Sequence, residues 1–212
     1  EEEITFKKAE EQFNAGNYEN AAELYDQTLK LNPTRVEAFV KRATLYLKDK
    51  SYDKAIELLS RAEKQSVSDL SIKTVLGLCL YESGQKERGL SYLEDVVRQR
   101  PEDHEAQFQI GKHYARIKPT RAITALEQYF KYRPDEVRQR GTDASAQLYL
   151  GTAYFATDRF EEARKQLELT AALPKQLSAT AEFLKSQGDV DAVSPLKTYA
   201  DGVYTDAIKK VA

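Results

Sequence analysis

The chain has 212 residues, 41% of them apolar and 31% charged, with a net charge of −2. That is enough apolar material for a sizeable core, yet no run approaches the ~20 apolar residues of a membrane helix. Mixed charges that nearly cancel give no bulk attraction to nucleic acid, and the lone Cys79 excludes an internal disulfide. The chain begins at Glu1 and contains no methionine, as expected of a fragment, a processed form or an incompletely recorded sequence. A soluble protein of the cytoplasm or the periplasm is expected, with nothing to choose between them.

Taken in order, the elements read as helix pairs. An amphipathic helix is predicted over Ile4 to Ala15, a turn at Gly16-Asn17, and a second helix from Tyr18 to about Leu31, ended by Asn32-Pro33 because proline cannot extend a helix. A second pair spans about Arg35 to Gln65, turning near Asp49 to Ser51, and a third Ser68 to Arg100, turning at Ser83-Gly84. In the fourth, helices are predicted over Asp103 to Ile117 and Thr120 to Tyr132, with Pro119 at the first helical turn. Residues 135–143 form an insertion before a fifth pair at about 144–175, either a tolerated surface loop or a functional edge. Beyond Pro174, Ser178 to Gln187 reads as one helix. A second follows Ser194-Pro195, with Leu196, Tyr199, Val203, Ala207 and Val211 at helical spacing.

The pairs repeat one pattern at a spacing close to 34 residues. Ala9, Ala43, Gly77, Gly111 and Gly151 share the first place, with Gln12, Tyr46, Leu80, Tyr114 and Tyr154 three residues on. Ala21, Ala55, Gly89, Ala122 and Ala163 are again small, followed by Tyr25, Leu59, Leu93, Leu126 and Leu167; Pro33, Pro101 and Pro134 close three units. Small side chains let two helix axes approach closely, and each pair leaves an apolar face that only the next can bury. Over residues 2 to 175 the chain resembles the tetratricopeptide-repeat (TPR) family. The resemblance implies an all-α, right-handed superhelical solenoid of helix-turn-helix repeats, at about 2–34, 35–67, 68–101, 102–134 and 144–175, with residues 176–212 as capping helices over the last repeat.

The fourth unit is one residue short: Tyr46 to Ala55 is nine positions, Tyr114 to Ala122 eight. A residue lost inside a helix rotates every later side chain by about 100°, yet Ala122, Leu126, Tyr129 and Pro134 keep their register. Either the deletion is real and compensated by Pro119, or methionines are missing from the recorded sequence; the kept register favours the latter.

No phosphate-binding glycine loop, HExxH, CxxC pair or GxSxG occurs, so no catalysis and no cofactor are expected. His104 and His113 lie nine apart rather than the four that would share a helix face, so no metal site is expected. Cys79, between Leu78 and Leu80, reads as a small buried apolar residue. Charge is uneven, acidic in the first repeat and basic between Arg98 and Arg140, which a solvated helix surface explains.

The resemblance places function on a concave face lined by the first helix of each repeat. If the small residue of each first helix packs inward, the residues three before, one after and four after it line the hollow. These are Phe6, Glu10 and Phe13; Val40, Thr44 and Leu47; Thr74, Leu78 and Tyr81; Phe108, Lys112 and Ala115; Leu148, Thr152 and Phe155, with Arg116 adding charge beside Lys112. So apolar a row suggests a groove for a peptide or helix, unless the last helix or a sister molecule fills it. Some TPR co-chaperones grip a carboxylate terminus with Lys, Asn and Arg. The matching places here are Phe6, Glu10, Lys41, Ser71 and Val75, of which only Lys41 is basic, so a non-clamp type is expected.

The reading is therefore a non-catalytic protein-interaction scaffold for a peptide or helix of a partner protein, in assembly of a larger complex. It involves no nucleic acid and no membrane span. The alternatives are a self-assembling homo-oligomer, joined through its acidic first and basic fourth repeats, or an accessory domain of a larger chain.

Overall fold

A computed structural model describes residues 1–65, 67, 69–134 and 142–171; of residues 164, 167, 168, 170 and 171 only the backbone is described. The predicted capping helices at 176–212 and most of the insertion lie outside the described residues. Ten α-helices, and no strand, occur among those described. They are α1 (Glu2–Asn14), α2 (Tyr18–Leu31), α3 (Val36–Lys48), α4 (Tyr52–Lys64), α5 (Leu70–Glu82), α6 (Lys86–Gln99), α7 (His104–Tyr114), α8 (Pro119–Tyr132), α9 (Thr142–Phe155) and α10 (Phe160–Ala171). Two compact units result, one from Glu1 to Arg100 and one from Pro101 onward. Thr142 and Asp143, counted with the insertion from sequence, belong instead to the first turn of α9.

Sequence punctuation sets the helix ends. The carboxylate of Asp69 accepts the Ser71 N–H at 2.7 Å and that of Asp103 the Ala106 N–H at 3.0 Å, satisfying donors with no partner inside the helix. Between the helices of a pair, the turn is a Schellman closure. Asn17, Ser51, Gln85 and Arg159 donate their N–H groups to the carbonyls of Gln12, Tyr46, Leu80 and Tyr154, five residues back, at 2.8–3.0 Å. The residue before each donor is left-handed: Gly16, Lys50, Gly84 and Asp158, with φ of 82°, 57°, 93° and 59°.

The fourth pair closes differently. Tyr114, at the same repeat position, receives the N–H of Lys118 at 2.9 Å from four residues away, and that of Ile117 at 3.1 Å. No left-handed residue intervenes, α7 ends at Tyr114 rather than the predicted Ile117, and Pro119 opens α8. The missing residue is thus the left-handed one of the turn. Because the loss falls between helices and not within one, it rotates no side chain, and the kept register gives no reason to suppose unrecorded methionines.

In the first unit, Tyr25, Phe39, Leu59, Ile72, Leu76 and Leu80 fill the core with the small residues between them. In the third pair the close approach is backbone to backbone. A Cβ on Gly89 would sit 2.6 Å from the Gly77 carbonyl oxygen and 2.6 Å from the Tyr81 nitrogen, both backbone atoms of α5. A Cβ on Gly111 would collide with the Leu126 side chain. Cys79 is fully buried in the same core, and burial, with Glu82 nearby, pushes its thiol up to about 12.

Successive repeats are joined by hydrogen bonds to carboxylates from arginine and tyrosine. On α2, Asp26 accepts from the Arg42 guanidinium at 3.0 Å, and Arg42 also donates to the Tyr46 hydroxyl at 2.8 Å, both from α3. Glu127 of α8 accepts the hydroxyl of Tyr154 of α9 at 2.7 Å. Tyr129 and Arg133 bind Asp143 at the start of α9, at 2.9 Å and 2.6 Å.

Candidate functional site

The predicted groove residues sit on first helices, except Ala115 and Arg116 in the turn after α7, and the two units present them differently. In the first unit Phe6 and Phe13 are half-buried on α1, Phe6 tilted against Tyr25 at 6.0 Å and Phe13 edge-on to it at 6.5 Å between ring centroids. Each carries a cation from the second repeat: the Arg35 guanidinium lies 4.2 Å above the Phe6 ring and the Lys41 ammonium 4.8 Å from the Phe13 ring. Both cations are in turn held by carboxylates, Arg35 by Glu2 at 2.9 Å and Glu3 at 2.7 Å, Lys41 by Glu10 at 3.1 Å. The bond from Arg35 holds the Glu3 carboxyl below its ordinary value. Glu10 also accepts the hydroxyl of Tyr25, whose pKa is raised chiefly by burial and then by that carboxylate.

Glu10 is one of the residues expected to line the hollow, but the layer it forms with Arg35 and Lys41 was not foreseen. Its members come together from about 30 residues apart in the chain, and no local spacing announces it. It also engages much of the acidity of the first repeat within the molecule.

On α3, Val40, Thr44 and Leu47 form a half-buried strip, and the Thr44 hydroxyl is spent on the Val40 carbonyl at 2.8 Å. On α5, Leu78 is half-buried, but Thr74 and Tyr81 are only 3% and 8% exposed. The expectation that these two line an open face is corrected by the structure. Helix α5 is apolar around most of its circumference and packs on α3, α4 and α6, which buries most of its faces.

In the second unit, Phe108 is half-buried, 5.4 Å from the Tyr129 ring and 6.3 Å from that of Tyr149. Lys112 is half-buried and Arg116 exposed, whereas Ala115 is buried and lines no open face. On α9 the strip of α3 recurs as Leu148, Thr152 and Phe155, with the Thr152 hydroxyl on the Leu148 carbonyl at 2.8 Å. Leu148, however, is 3% exposed, a correction with the same cause as on α5, since α9 is also apolar nearly all round. Phe155 remains half-buried, edge-on to Phe160 at 5.5 Å.

His104 and His113 lie against Tyr129 and Tyr114, at 6.5 Å and 4.8 Å between rings. Among the described residues no group of three or more His, Cys, Asp or Glu could hold a metal ion. Nor is any helix there long and apolar enough to cross a membrane.

Paired helices at a repeat near 34 residues, with small residues where they cross, define a helical-repeat protein. A family model described as anaphase-promoting complex, cyclosome, subunit 3 matches residues 14–96, and one described as tetratricopeptide repeat matches residues 113–179. No curated protein matches. Among solved structures, YrrB, described as a TPR protein with an unusual peptide-binding site, is 20% identical over 92% of this chain and 90% of its own, with a TM-score of 0.55. TTC0263, a thermophilic TPR protein of Thermus thermophilus, is 22% identical over 87% and 98%, at 0.60. A MamA structure is 21% identical over 84% and 96%, at 0.57. The chain belongs to the tetratricopeptide-repeat family, whose repeats serve in general as protein-interaction scaffolds.

Proposed function

We propose that the chain is a non-catalytic scaffold that holds a peptide or helix of a partner protein against the first-helix faces of its repeats, in assembly of a larger complex. One observation carries the reading. Val40 and Leu47 on α3 are half-buried with only Thr44 between them, and the Thr44 hydroxyl is already satisfied by its own helix. An apolar partner laid there leaves no polar group of the strip unpaired, so docking carries no desolvation penalty of that kind. Leu78, Phe108, Thr152 and Phe155 extend the same character to other first helices, with Phe6 and Phe13 beneath their cations and Lys112 and Arg116 supplying charge. Thr74, Tyr81 and Leu148 are buried and take no direct part.

The ligand of this reading is not a clamped carboxylate terminus. Lys41, the one basic residue at the places such a clamp uses, is paired with Glu10.

Selection of a random peptide library on the intact chain tests the proposal, with the Leu47→Glu variant as the counter-target. Enriched peptides carry two or more apolar residues and lose at least about tenfold in affinity on the variant. Peptides that bind both chains equally would place recognition elsewhere.

A further inference from the structure

The second helices of the first two repeats enclose a cationic cleft on surface that no groove residue lines. Two adjoining cavities of about 420 Å³ and 540 Å³ share Asp26 of α2 and Arg61 of α4. Lys30 lines the first of them, Lys54 and Lys64 the second.

The charges do not cancel. Asp26 is already neutralised by Arg42 at 3.0 Å, which leaves Glu57 as the one uncommitted carboxylate on the lining against Lys30, Lys54, Lys64 and Arg61. No ion pair among the described residues holds any of those four cations. This contrasts with Arg35, Lys41, Arg42, Lys73, Arg133 and Arg159, each of which has its carboxylate within 3.2 Å. Half-buried Leu58 gives the second cavity an apolar floor, and Leu29, 6% exposed, lines the first.

We infer that this cleft is a second docking site, for an acidic segment of a partner protein in which carboxylate side chains flank an apolar one. Spaced ammonium and guanidinium groups on long stems meet separate carboxylates, and half-buried Leu58 receives the apolar side chain between them. Such complementarity sets specificity and association rate and weakens with salt. A nucleic acid fits less well, because an apolar floor offers nothing to a phosphate backbone.

The probe is a fluorescein-labelled peptide of sequence Glu-Glu-Leu-Glu-Glu, titrated into the intact chain and read by anisotropy. Saturable binding that weakens as salt rises is expected. Arg61→Glu together with Lys64→Glu should lower affinity by at least about tenfold, while Leu47→Glu leaves it unchanged. Should that double variant lose its helical circular dichroism, Lys30→Glu with Lys54→Glu, both exposed, carries the same expectation. No binding, or binding indifferent to both double variants, overturns the inference. Loss in Leu47→Glu would return the peptide to the first-helix strip, and equal binding of a single-stranded DNA of the same charge would make the cleft a general polyanion surface; either result also overturns it.

Discussion

The carbonyl of Tyr114 accepts the N–H of Lys118 four residues on, at 2.9 Å, where the other four pairs span five residues to close the same turn. The fourth turn lacks the left-handed residue and α7 ends early, yet α8 begins three residues before Ala122, as α2, α4 and α6 begin three before Ala21, Ala55 and Gly89. The repeats therefore divide the work between turn glycines that serve conformation and crossing glycines that serve packing.

That division predicts two different costs for one kind of substitution. Nothing lies within 4 Å of a Cβ built on Gly84, whose φ is 93°, so Gly84→Ala should cost only the left-handed strain, about 1 kcal/mol. Gly89→Ala forces a Cβ to 2.6 Å from backbone atoms of α5 and should cost about 3 kcal/mol or more. Urea unfolding of the two variants checks this, and equal losses would contradict the assignment of roles.

How much of this the sequence reveals depends on the element. The pairs were legible from Ala9, Gly77 and their counterparts, because a crossing that admits nothing larger than a methyl group restricts residue type wherever it recurs. The left-handed Lys50 and Asp158 were not, since neither residue advertises that conformation as Gly16 and Gly84 do. For the candidate site, counting along first helices selected half-buried Val40, Leu47 and Leu78 but also buried Thr74, Tyr81 and Leu148. The missing signal was in plain view. Residues 74 to 81 read Thr-Val-Leu-Gly-Leu-Cys-Leu-Tyr, apolar on every face, whereas α3 alternates charged and apolar faces.

The buried tyrosines predict alkaline sensitivity. Burial first, and then the carboxylates of Glu10, Asp143 and Glu127, raise the phenols of Tyr25, Tyr129 and Tyr154, the last to about 12. An unfolded tyrosine ionises near pH 10. A raised folded value means the stabilisation is complete below about pH 10 and is lost as pH climbs through the folded values. The melting temperature should thus fall steeply above about pH 10, with tyrosinate absorbance of these residues appearing only as helicity disappears. Full tyrosine ionisation in a chain still helical would contradict it.

Tyr129→Phe removes the hydroxyl that Asp143 accepts at 2.9 Å but leaves Arg133 on the same carboxylate. The expected loss is about 1–2 kcal/mol, read by chemical denaturation. A neutral effect would show that this link between α8 and α9 contributes nothing to the second unit.

Cys79 should be inert. Its thiol is fully buried and raised to about 12, so a disulfide-exchange reagent at neutral pH should label it only in denaturant. Prompt labelling of the native chain would mean that the α5 core opens readily.

The claim that first-helix faces hold the partner is tested most directly by photo-cross-linking. A peptide selected on the intact chain, carrying a photoreactive phenylalanine, is irradiated in complex and the adducts are located by mass spectrometry. Adducts at Val40, Leu47 or Leu78 are predicted, and adducts confined to α2 and α4 would contradict the account.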